Sequence, residues 1–125
     1  MSYRVTVTAR FEAAHNLLDY AGGPEPLHGH SYRVEAVLEA EKLQQYDLAV
    51  DFVPARQALD AITREFDYGY INEHRDFRGR NTSAENLARY FSERLEASGA
   101  LGWGRVAEVT VWEGPENRAT YRPAR

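Results

Sequence analysis

The protein has 125 residues, of which 43% are hydrophobic and 27% are charged, and its formal net charge is −4. That length suits one folded domain, which we expect to span residues 1–125. The acidic balance argues against a nucleic-acid-binding module, although it allows a local basic pocket for a small anion. The absence of cysteine excludes disulfides, Cys-type zinc sites and thiol nucleophiles. No membrane-spanning stretch or signal peptide is evident, so we expect a cytoplasmic protein without a membrane partner.

Alternating apolar and polar residues predict two strands in the first third of the chain. Residues Tyr3–Phe11 follow the period of two that is typical of a half-buried strand. The next segment, 16–26, holds two glycines and two prolines and is predicted to be a loop. From His30 to Ala40 the alternation returns, so a second strand can pair antiparallel with the first. A β-hairpin is therefore expected at the start of the domain.

Two later segments carry apolar residues every three or four positions, which is typical of helices. The first helix is predicted over roughly 53–66, with an apolar face formed by Phe52, Ala55, Leu59, Ile62 and Phe66. The second is predicted to begin at the sequence NTSAEN, because Thr82 and Glu85 match a capping box. Its buried stripe would be Leu87, Phe91 and Leu95, and Gly99 would end it.

The tail returns to a period of two and predicts a second hairpin. Ala107, Val109, Val111 and Glu113 share one face of a strand, and the short sequence EGPEN separates it from a last strand at RATYRP. The order ββααββ predicts an α+β fold with an antiparallel four-stranded sheet and both helices on one face. The sheet edges would need partners or protection.

The four histidines include a pair, His28 and His30, separated by one glycine at the start of the second strand. Side chains two residues apart on a strand project to the same face, where one metal ion can bind both. His15 ends the first strand, and hairpin pairing could bring it to the same place. Three histidines would leave one coordination position open, as in catalytic zinc sites. The alternative is a pair of ordinary hydrogen-bonded histidines in a loop.

Six motifs in this order, FEAAH, LHGHSY, VDF, FDYGYIN, NTSAEN and VWE, resemble the 6-pyruvoyl-tetrahydropterin synthase family, which includes the 6-carboxytetrahydropterin synthases of queuosine biosynthesis. The resemblance implies that His15, His28 and His30 bind Zn2+. It also implies a ββααββ unit of the tunnelling fold that assembles as a homo-hexamer around a β-barrel, with active sites between subunits. The expected partner is a small pterin triphosphate substrate.

In the third predicted strand, Glu113 shares the alternation of Val109 and Val111, so its carboxylate is expected to point inward, where an unpaired charge is costly. A carboxylate can accept two parallel N–H bonds, and the resemblance implies that Glu113 anchors the pterin ring in this way. It also places Ser83 and Glu85 at the pterin. The alternatives are that Glu113 simply reaches solvent and that Glu85 only caps the second helix.

The chain departs from the family pattern at two proton-handling positions. Pro24 stands where family members carry a catalytic cysteine, and Tyr68 replaces the histidine that follows Asp67. Glu25, however, forms E-x-x-H-G-H and resembles the type III variant, which is implied to cleave dihydroneopterin triphosphate to 6-hydroxymethyl-dihydropterin, a folate precursor. Glu25 would then act as general base, with Asp67 or Tyr68 donating or orienting a proton. Alternatively, Glu25 is an exposed loop acid and Tyr68 a core residue.

A lyase could instead run the carboxytetrahydropterin reaction by an altered proton relay. A competing hypothesis is a zinc-containing pterin- or purine-binding protein that has lost catalysis. A purely structural zinc module is disfavoured, because structural sites usually have four protein ligands. His74 is expected at the surface. Four arginines are candidates for triphosphate contacts, unless they belong to an ordinary solvated face: Arg10, Arg75, Arg78 and Arg80.

Overall fold

A computed structural model describes residues 1–124 of the chain. Its elements are β1 (Tyr3–His15), β2 (His28–Ala40), α1 (Phe52–Thr63), β3 (Gly69–Tyr70), α2 (Ala84–Ala97), β4 (Arg105–Glu113) and β5 (Asn117–Tyr121). One sheet holds the strands in the order β3-β1-β2-β4-β5. The α+β class and the ββααββ order are confirmed. The sheet has five strands instead of the four predicted, because the two residues of β3 pair parallel with Ala13 and Ala14. A strand of two residues is too short to show an alternating pattern in the sequence.

The first hairpin is longer than predicted and ends in register at the histidines. β1 pairs antiparallel with β2 from Tyr3 opposite Ala40 to His15 opposite His28. Strand β2 therefore starts at His28 rather than His30. The loop between these strands is closed by short backbone bonds, including Glu25 N–H to the Leu17 carbonyl at 2.9 Å.

Helix α1 begins after Asp51, whose side chain accepts a hydrogen bond from Val53 N–H. The helix ends at Thr63, three residues before the predicted end, and Phe66 lies in the following turn with its ring buried. Phe52 was predicted on the buried face, and this prediction is wrong: it is 55% exposed. This first residue of the helix lines a groove with Thr6 and Thr8 of β1 instead of entering the core.

Helix α2 is capped by Ser83, whose hydroxyl accepts from Asn86 N–H at 3.2 Å. The predicted capping box is therefore wrong, since Thr82 lies one residue outside the cap and is fully buried. The predicted stripe is confirmed, because Leu87, Phe91 and Leu95 are all fully buried. Gly99, with φ of +73°, follows the last turn as expected of a helix stop.

Strand β4 contains a bulge that corrects its predicted inward face. Val37 of β2 lies opposite Glu108, but the next residue, Leu38, lies opposite Val106, so Ala107 is the extra residue. A bulge reverses the side-chain parity on its far side. Val106 is consequently buried in place of Ala107, while the inward parity of Val109, Val111 and Glu113 is as predicted.

Both helices cover one face of the sheet, with α1 against β1 and α2 against β4 and β5. Aromatic rings fill the layer between them, and the Phe11 ring stacks on Tyr32 with centroids 4.7 Å apart. The side chains that point towards the helices include three histidines at the end of the sheet where β1 finishes and β2 begins: His15, His28 and His30. Within residues 1–124, neither helix has the length and apolar character needed to cross a membrane.

Candidate metal centre and its surroundings

Strand register brings the three predicted metal ligands together. His15 lies directly opposite His28, and His30 lies two residues further along β2 on the same face. One nitrogen from each ring lies within 4.8 Å of the other two. The rings meet edge to face, with centroids 4.7 to 5.0 Å apart. The hairpin therefore builds the cluster that the sequence predicted.

Backbone carbonyls orient two of the three imidazoles. The Nδ1 of His15 lies 2.9 Å from the Thr82 carbonyl, and the Nδ1 of His28 lies 2.9 Å from the Pro26 carbonyl. Because a carbonyl only accepts, each Nδ1 must carry the hydrogen. In the neutral rings the Nε2 lone pairs are then free for a metal, an arrangement typical of histidine ligands.

Glu113 lies against the cluster from β4, with its Oε2 3.3 Å from the Nε2 of both His15 and His30. Burial disfavours the charged form of His15, but the Glu113 carboxylate and the Thr82 carbonyl outweigh it and raise the pKa of His15. Burial also lowers the pKa of His30, and the neighbouring histidines add to that effect. The contact with His15 lowers the pKa of Glu113. The Glu113 carboxylate thus favours a positive charge beside His15.

These residues fit a divalent metal ion. The Nε2 of His15 is buried and has no hydrogen-bond partner within residues 1–124, because the approach of Glu113 lacks hydrogen-bond geometry. Imidazole lone pairs facing a carboxylate repel it unless a proton or a metal ion lies between them. Three histidines are also the donor set of catalytic zinc sites with an open fourth position. The cluster could therefore bind a metal.

Glu25 lies beside the cluster and is not an exposed loop acid. Its Oε1 accepts a hydrogen bond from Leu17 N–H at 2.8 Å and lies 4.0 Å from the Nε2 of His28. Its backbone is held as well, since the Asn16 side chain donates to the Glu25 carbonyl at 3.1 Å. The carboxylate is 21% exposed. A carboxylate anchored next to a metal cluster and still open to solvent is suited to take a proton from a bound molecule.

A polar network that sequence reasoning missed supports the ligands from behind. Asn72 donates to the Asn16 carbonyl at 2.7 Å, and its amide oxygen lies 3.2 Å from the Thr82 hydroxyl. That hydroxyl also lies 3.1 Å from the Nδ1 of His15. Tyr70 adds a hydrogen bond to the Asn16 side chain. The one signal in the sequence was Thr82 itself, a polar residue next to the start of the second predicted helix.

Asp67 and Tyr68 lie at the turn that leads into β3. The Asp67 carboxylate accepts from Glu12 N–H at 2.9 Å, so it ties this turn to β1. Tyr68 is 86% exposed, which excludes the core alternative. Its φ of +56° is uncommon for a residue other than glycine. Tyr68 and His30 line the same cavity, of about 450 Å³.

Within residues 1–124, the remaining candidates form no hydrogen bond or ion pair with the three histidines. Ser83 caps α2, and Glu85 is exposed on its first turn. His74 is not a plain surface residue, because its ring is 13% exposed and contacts Glu65 at 2.9 Å. Arg75 and Arg80 lie beside Asp76 and Phe77 respectively, whereas Arg10 lies on the uncovered face of the sheet.

Comparison with known proteins agrees with this geometry. The family model described as 6-pyruvoyl tetrahydropterin synthase matches residues 4–124. A dihydroneopterin monophosphate aldolase of Pyrococcus furiosus is 31% identical, over 93% of this chain and 94% of that protein. A 6-carboxy-5,6,7,8-tetrahydropterin synthase of Aquifex aeolicus is 28% identical, over 98% and 99%. The structure of Caenorhabditis elegans 6-pyruvoyl tetrahydropterin synthase superposes with a TM-score of 0.81 at 19% identity, covering 99% of this chain and 97% of that one. The chain belongs to the 6-pyruvoyl tetrahydropterin synthase family.

Proposed function

We propose that the protein is a zinc-dependent lyase that cleaves the side chain of a 7,8-dihydroneopterin phosphate ester to give 6-hydroxymethyl-dihydropterin. The observation that carries this proposal is the anchored Glu25 carboxylate 4.0 Å from a histidine of the candidate metal cluster. We further propose that residues 1–125 form one domain. The cytoplasmic setting remains a prediction from the sequence.

His15, His28 and His30 would hold the zinc ion. When bound, zinc supplies a Lewis acid that polarises hydroxyl oxygens of a substrate and eases the loss of their protons. Glu25 would take the proton of the side-chain hydroxyl on the second carbon from the ring. The bond between the first and second side-chain carbons then breaks, and its electron pair stays with the carbon attached to the pterin.

A second proton transfer completes the reaction. The carbon attached to the pterin must gain one proton to become hydroxymethyl, and the other fragment leaves as glycolaldehyde carrying the phosphate. We propose that the Glu25 carboxyl or Tyr68, at the rim of the cavity shared with His30, returns that proton. Asp67 would orient Tyr68 through the turn that it ties to β1. The reaction needs no oxidant or reductant.

We propose that Glu113, Ser83 and Glu85 bind the pterin ring. Glu113 faces inward at 24% exposure beside the cluster, where a carboxylate can accept two ring N–H groups. Ser83 and Glu85 lie at the start of α2, immediately after Thr82, which contacts His15. The name of the Pyrococcus furiosus relative supports an aldol-type cleavage of a phosphorylated dihydroneopterin, although sequence resemblance alone had favoured the triphosphate.

We propose a homo-oligomer, and the family resemblance favours a hexamer. Support comes from the edge of β1, where, within residues 1–124, only Ala13 and Ala14 have a strand neighbour on the side of β3. An open edge of this length is a ready template for pairing with another copy. Active sites completed between subunits would follow from such pairing.

The test is the incubation of zinc-loaded protein with 7,8-dihydroneopterin monophosphate and triphosphate, followed by separation of the pterin products. Glu25→Gln should reduce 6-hydroxymethyl product by about 100-fold or more, the usual contribution of a general base. Pterin affinity should survive, because glutamine can still accept the Leu17 hydrogen bond. Glu93→Gln, which changes an exposed carboxylate on α2, is the matched control.

Two results would contradict the proposal. A 6-carboxy or 6-pyruvoyl product would assign the protein to a different reaction of the family. Tight pterin binding without any turnover by the zinc-loaded wild type would instead support the non-catalytic binding protein.

A further inference from the structure

The Glu113 carboxylate lies where a fourth ligand of a metal ion would lie. Its Oε2 is 3.3 Å from the Nε2 of His15 and 3.3 Å from the Nε2 of His30. In a tetrahedral zinc site with bonds of about 2.0 to 2.2 Å, two ligand atoms are separated by about 3.3 to 3.6 Å. The distances from Oε2 to the two nitrogens therefore match those between ligands that share one ion.

A hydrogen bond does not account for this approach. The Nδ1 of His15 faces the Thr82 carbonyl, so the neutral ring presents a lone pair at Nε2. Within residues 1–124, that buried Nε2 has no hydrogen-bond partner, although Oε2 of Glu113 lies beside it. One proton relieves the repulsion at one ring, whereas one divalent cation relieves it at both His15 and His30. A shared metal ion thus explains both contacts at once.

Glu25, the other carboxylate beside the cluster, is placed differently. Its Oε1 lies 4.0 Å from the Nε2 of a single ring, that of His28, and accepts a hydrogen bond from Leu17 N–H at 2.8 Å. This bond holds the Glu25 carboxylate at the edge of the cluster. Within residues 1–124, Glu113 forms ion pairs only with histidines of the cluster. Of the two carboxylates, Glu113 is therefore the one placed to bind the metal.

The carboxylate of Glu113 can move while its backbone stays fixed. Glu113 is the last residue of β4 and is paired with Tyr32 of β2 and with Asn117 of β5. Its side chain is partly exposed, and rotation about the side-chain bonds moves the carboxylate between staggered positions. A change of rotamer is therefore enough to move Oε2 towards the histidines or away from them.

For Glu113, binding the metal and binding the pterin exclude each other. In the proposed function this carboxylate accepts two N–H groups of the pterin ring while hydroxyls of the substrate side chain approach the metal. The N–H edge and the side chain are at opposite ends of a rigid bicyclic ring, whereas two ligands of one ion are only about 3.3 to 3.6 Å apart. A carboxylate at the N–H edge must therefore have left the metal.

We propose that Glu113 is a fourth ligand of the bound metal ion while the pterin pocket is empty, and that the N–H edge of a pterin draws it off and opens a coordination position for the substrate side chain. Small diols and phosphates lack this edge and would meet a closed site, so the exchange would add to specificity. The inference rests on the proposed function for the identity of the metal and the pterin. The fourth-ligand role can be tested without any turnover.

The test uses cobalt(II) in place of zinc, because its visible absorption reports on the coordination of the ion. Azide, which probes the open position, is titrated with and without unsubstituted pterin, a molecule that has the N–H edge but no side chain to fill the position. Glu113→Gln is the test variant. Glu25→Gln is the matched control, because it removes an equal charge beside the cluster from a carboxylate that faces a single ring.

We expect Glu113→Gln to bind azide about tenfold or more tightly than the wild type, and pterin to raise the azide affinity of the wild type by a similar factor. Pterin should not raise the azide affinity of Glu113→Gln, in which the position is already open. Glu25→Gln should gain less azide affinity than Glu113→Gln, since it changes charge alone.

Equal azide affinities in the wild type and Glu113→Gln would overturn the inference and leave the proposed function intact. A gain in Glu25→Gln as large as that in Glu113→Gln would also overturn it, because charge alone would then explain the effect. Pterin that binds to the wild type without raising its azide affinity would overturn the exchange. If Glu113→Gln gains azide affinity but no pterin binds to the wild type, the fourth ligand stands and the proposed function fails.

Discussion

Thr82 shows how a single residue can matter for a reason that local sequence does not reveal. Next to Glu85 it matches a capping box, but Ser83 provides the cap, and Thr82 turns its carbonyl and hydroxyl to the Nδ1 of His15. The choice between the two roles depends on β1, which lies 67 residues earlier in the chain. A local pattern cannot include such a partner.

Thr82→Val should weaken metal binding by about tenfold, which is the lower end of the loss in metal affinity expected when a metal-bound histidine loses a hydrogen-bond partner. The loss is small because the Thr82 carbonyl still contacts His15. Zinc affinity is measured by competition with a chromophoric chelator. Ser83→Ala is the neighbouring control: it removes the helix cap and should cost about 1 kcal/mol of stability without changing zinc affinity. Equal zinc affinities for Thr82→Val and wild type would refute the role assigned to the hydroxyl.

Zinc binding should also depend on pH through His15. Zinc requires the neutral ring, so a proton on Nε2 competes with the metal. The pKa of His15 is raised from 6.5. Zinc affinity should therefore be greatest at a pH well above that raised pKa and should fall as the pH drops through it. Glu113→Gln removes the carboxylate that raises it, so the fall should begin at a lower pH. Chelator competition from pH 5.5 to 8.5 measures this midpoint, and an unshifted midpoint in Glu113→Gln would contradict the assignment.

At the scale of elements, a polar cluster joins α2 to the segment between the helices. Glu65, just beyond α1, accepts hydrogen bonds from Tyr90 at 2.8 Å and Arg94 at 3.0 Å and contacts His74 at 2.9 Å. Burial opposes the ionised form of Glu65, but these three partners outweigh it and lower its pKa. The cluster thus stabilises a connection that contains little regular structure.

Glu65→Gln should lower the free energy of unfolding by about 1 kcal/mol near pH 7. This is at the low end of the contribution of a charge-assisted hydrogen bond, because solvent screens the exposed part of Glu65. A lowered carboxyl pKa contributes stability that is present above the unfolded value of 4.5 and is lost as the pH falls through the folded value. The difference between wild type and variant should therefore shrink in acid. Urea unfolding at pH 7 and pH 3.5 measures it, with Glu93→Gln on the exposed face of α2 as control. A difference that does not shrink would argue against the carboxylate as its cause.

At the scale of the whole molecule, a single copy leaves the open edge of β1 and the groove beside it without a partner within residues 1–124. Val53, which is 62% exposed, lines that groove with Thr6, Thr8 and Phe52. Exposed apolar residues next to an unpaired strand are typical of an interface. This geometry is consistent with the proposed assembly into a homo-oligomer.

The protein should sediment as a multiple of its 14.2 kDa chain mass. Val53→Asp should lower the association constant by at least tenfold and so shift the protein towards smaller species. The reason is that an unpaired charge buried in the interface costs more than about 1.4 kcal/mol. Tyr46→Asp, which changes an exposed aromatic residue elsewhere, is the control and should leave the mass unchanged. A wild type that sediments as a single chain at micromolar concentration would contradict the proposal.

Periodicity alone was sufficient for the main elements, because a period of two or of 3.6 is a local property of the chain. It predicted both hairpins, both helices and the inward direction of Glu113. It could not predict β3, whose two residues form a strand only because β1 lies beside them, or the bulge at Ala107, which is defined by its partner strand.

The sequence by itself determined the fold class, the family and the three histidines, since these depend on spacing within the chain and on motifs that recur in one order. Only the tertiary structure decided which groups support the histidines and which carboxylates face them. It placed Thr82, Glu25 and Glu113 at the cluster. The physical reason is that strand register, which no residue carries on its own, determines which side chains from distant parts of the chain become neighbours.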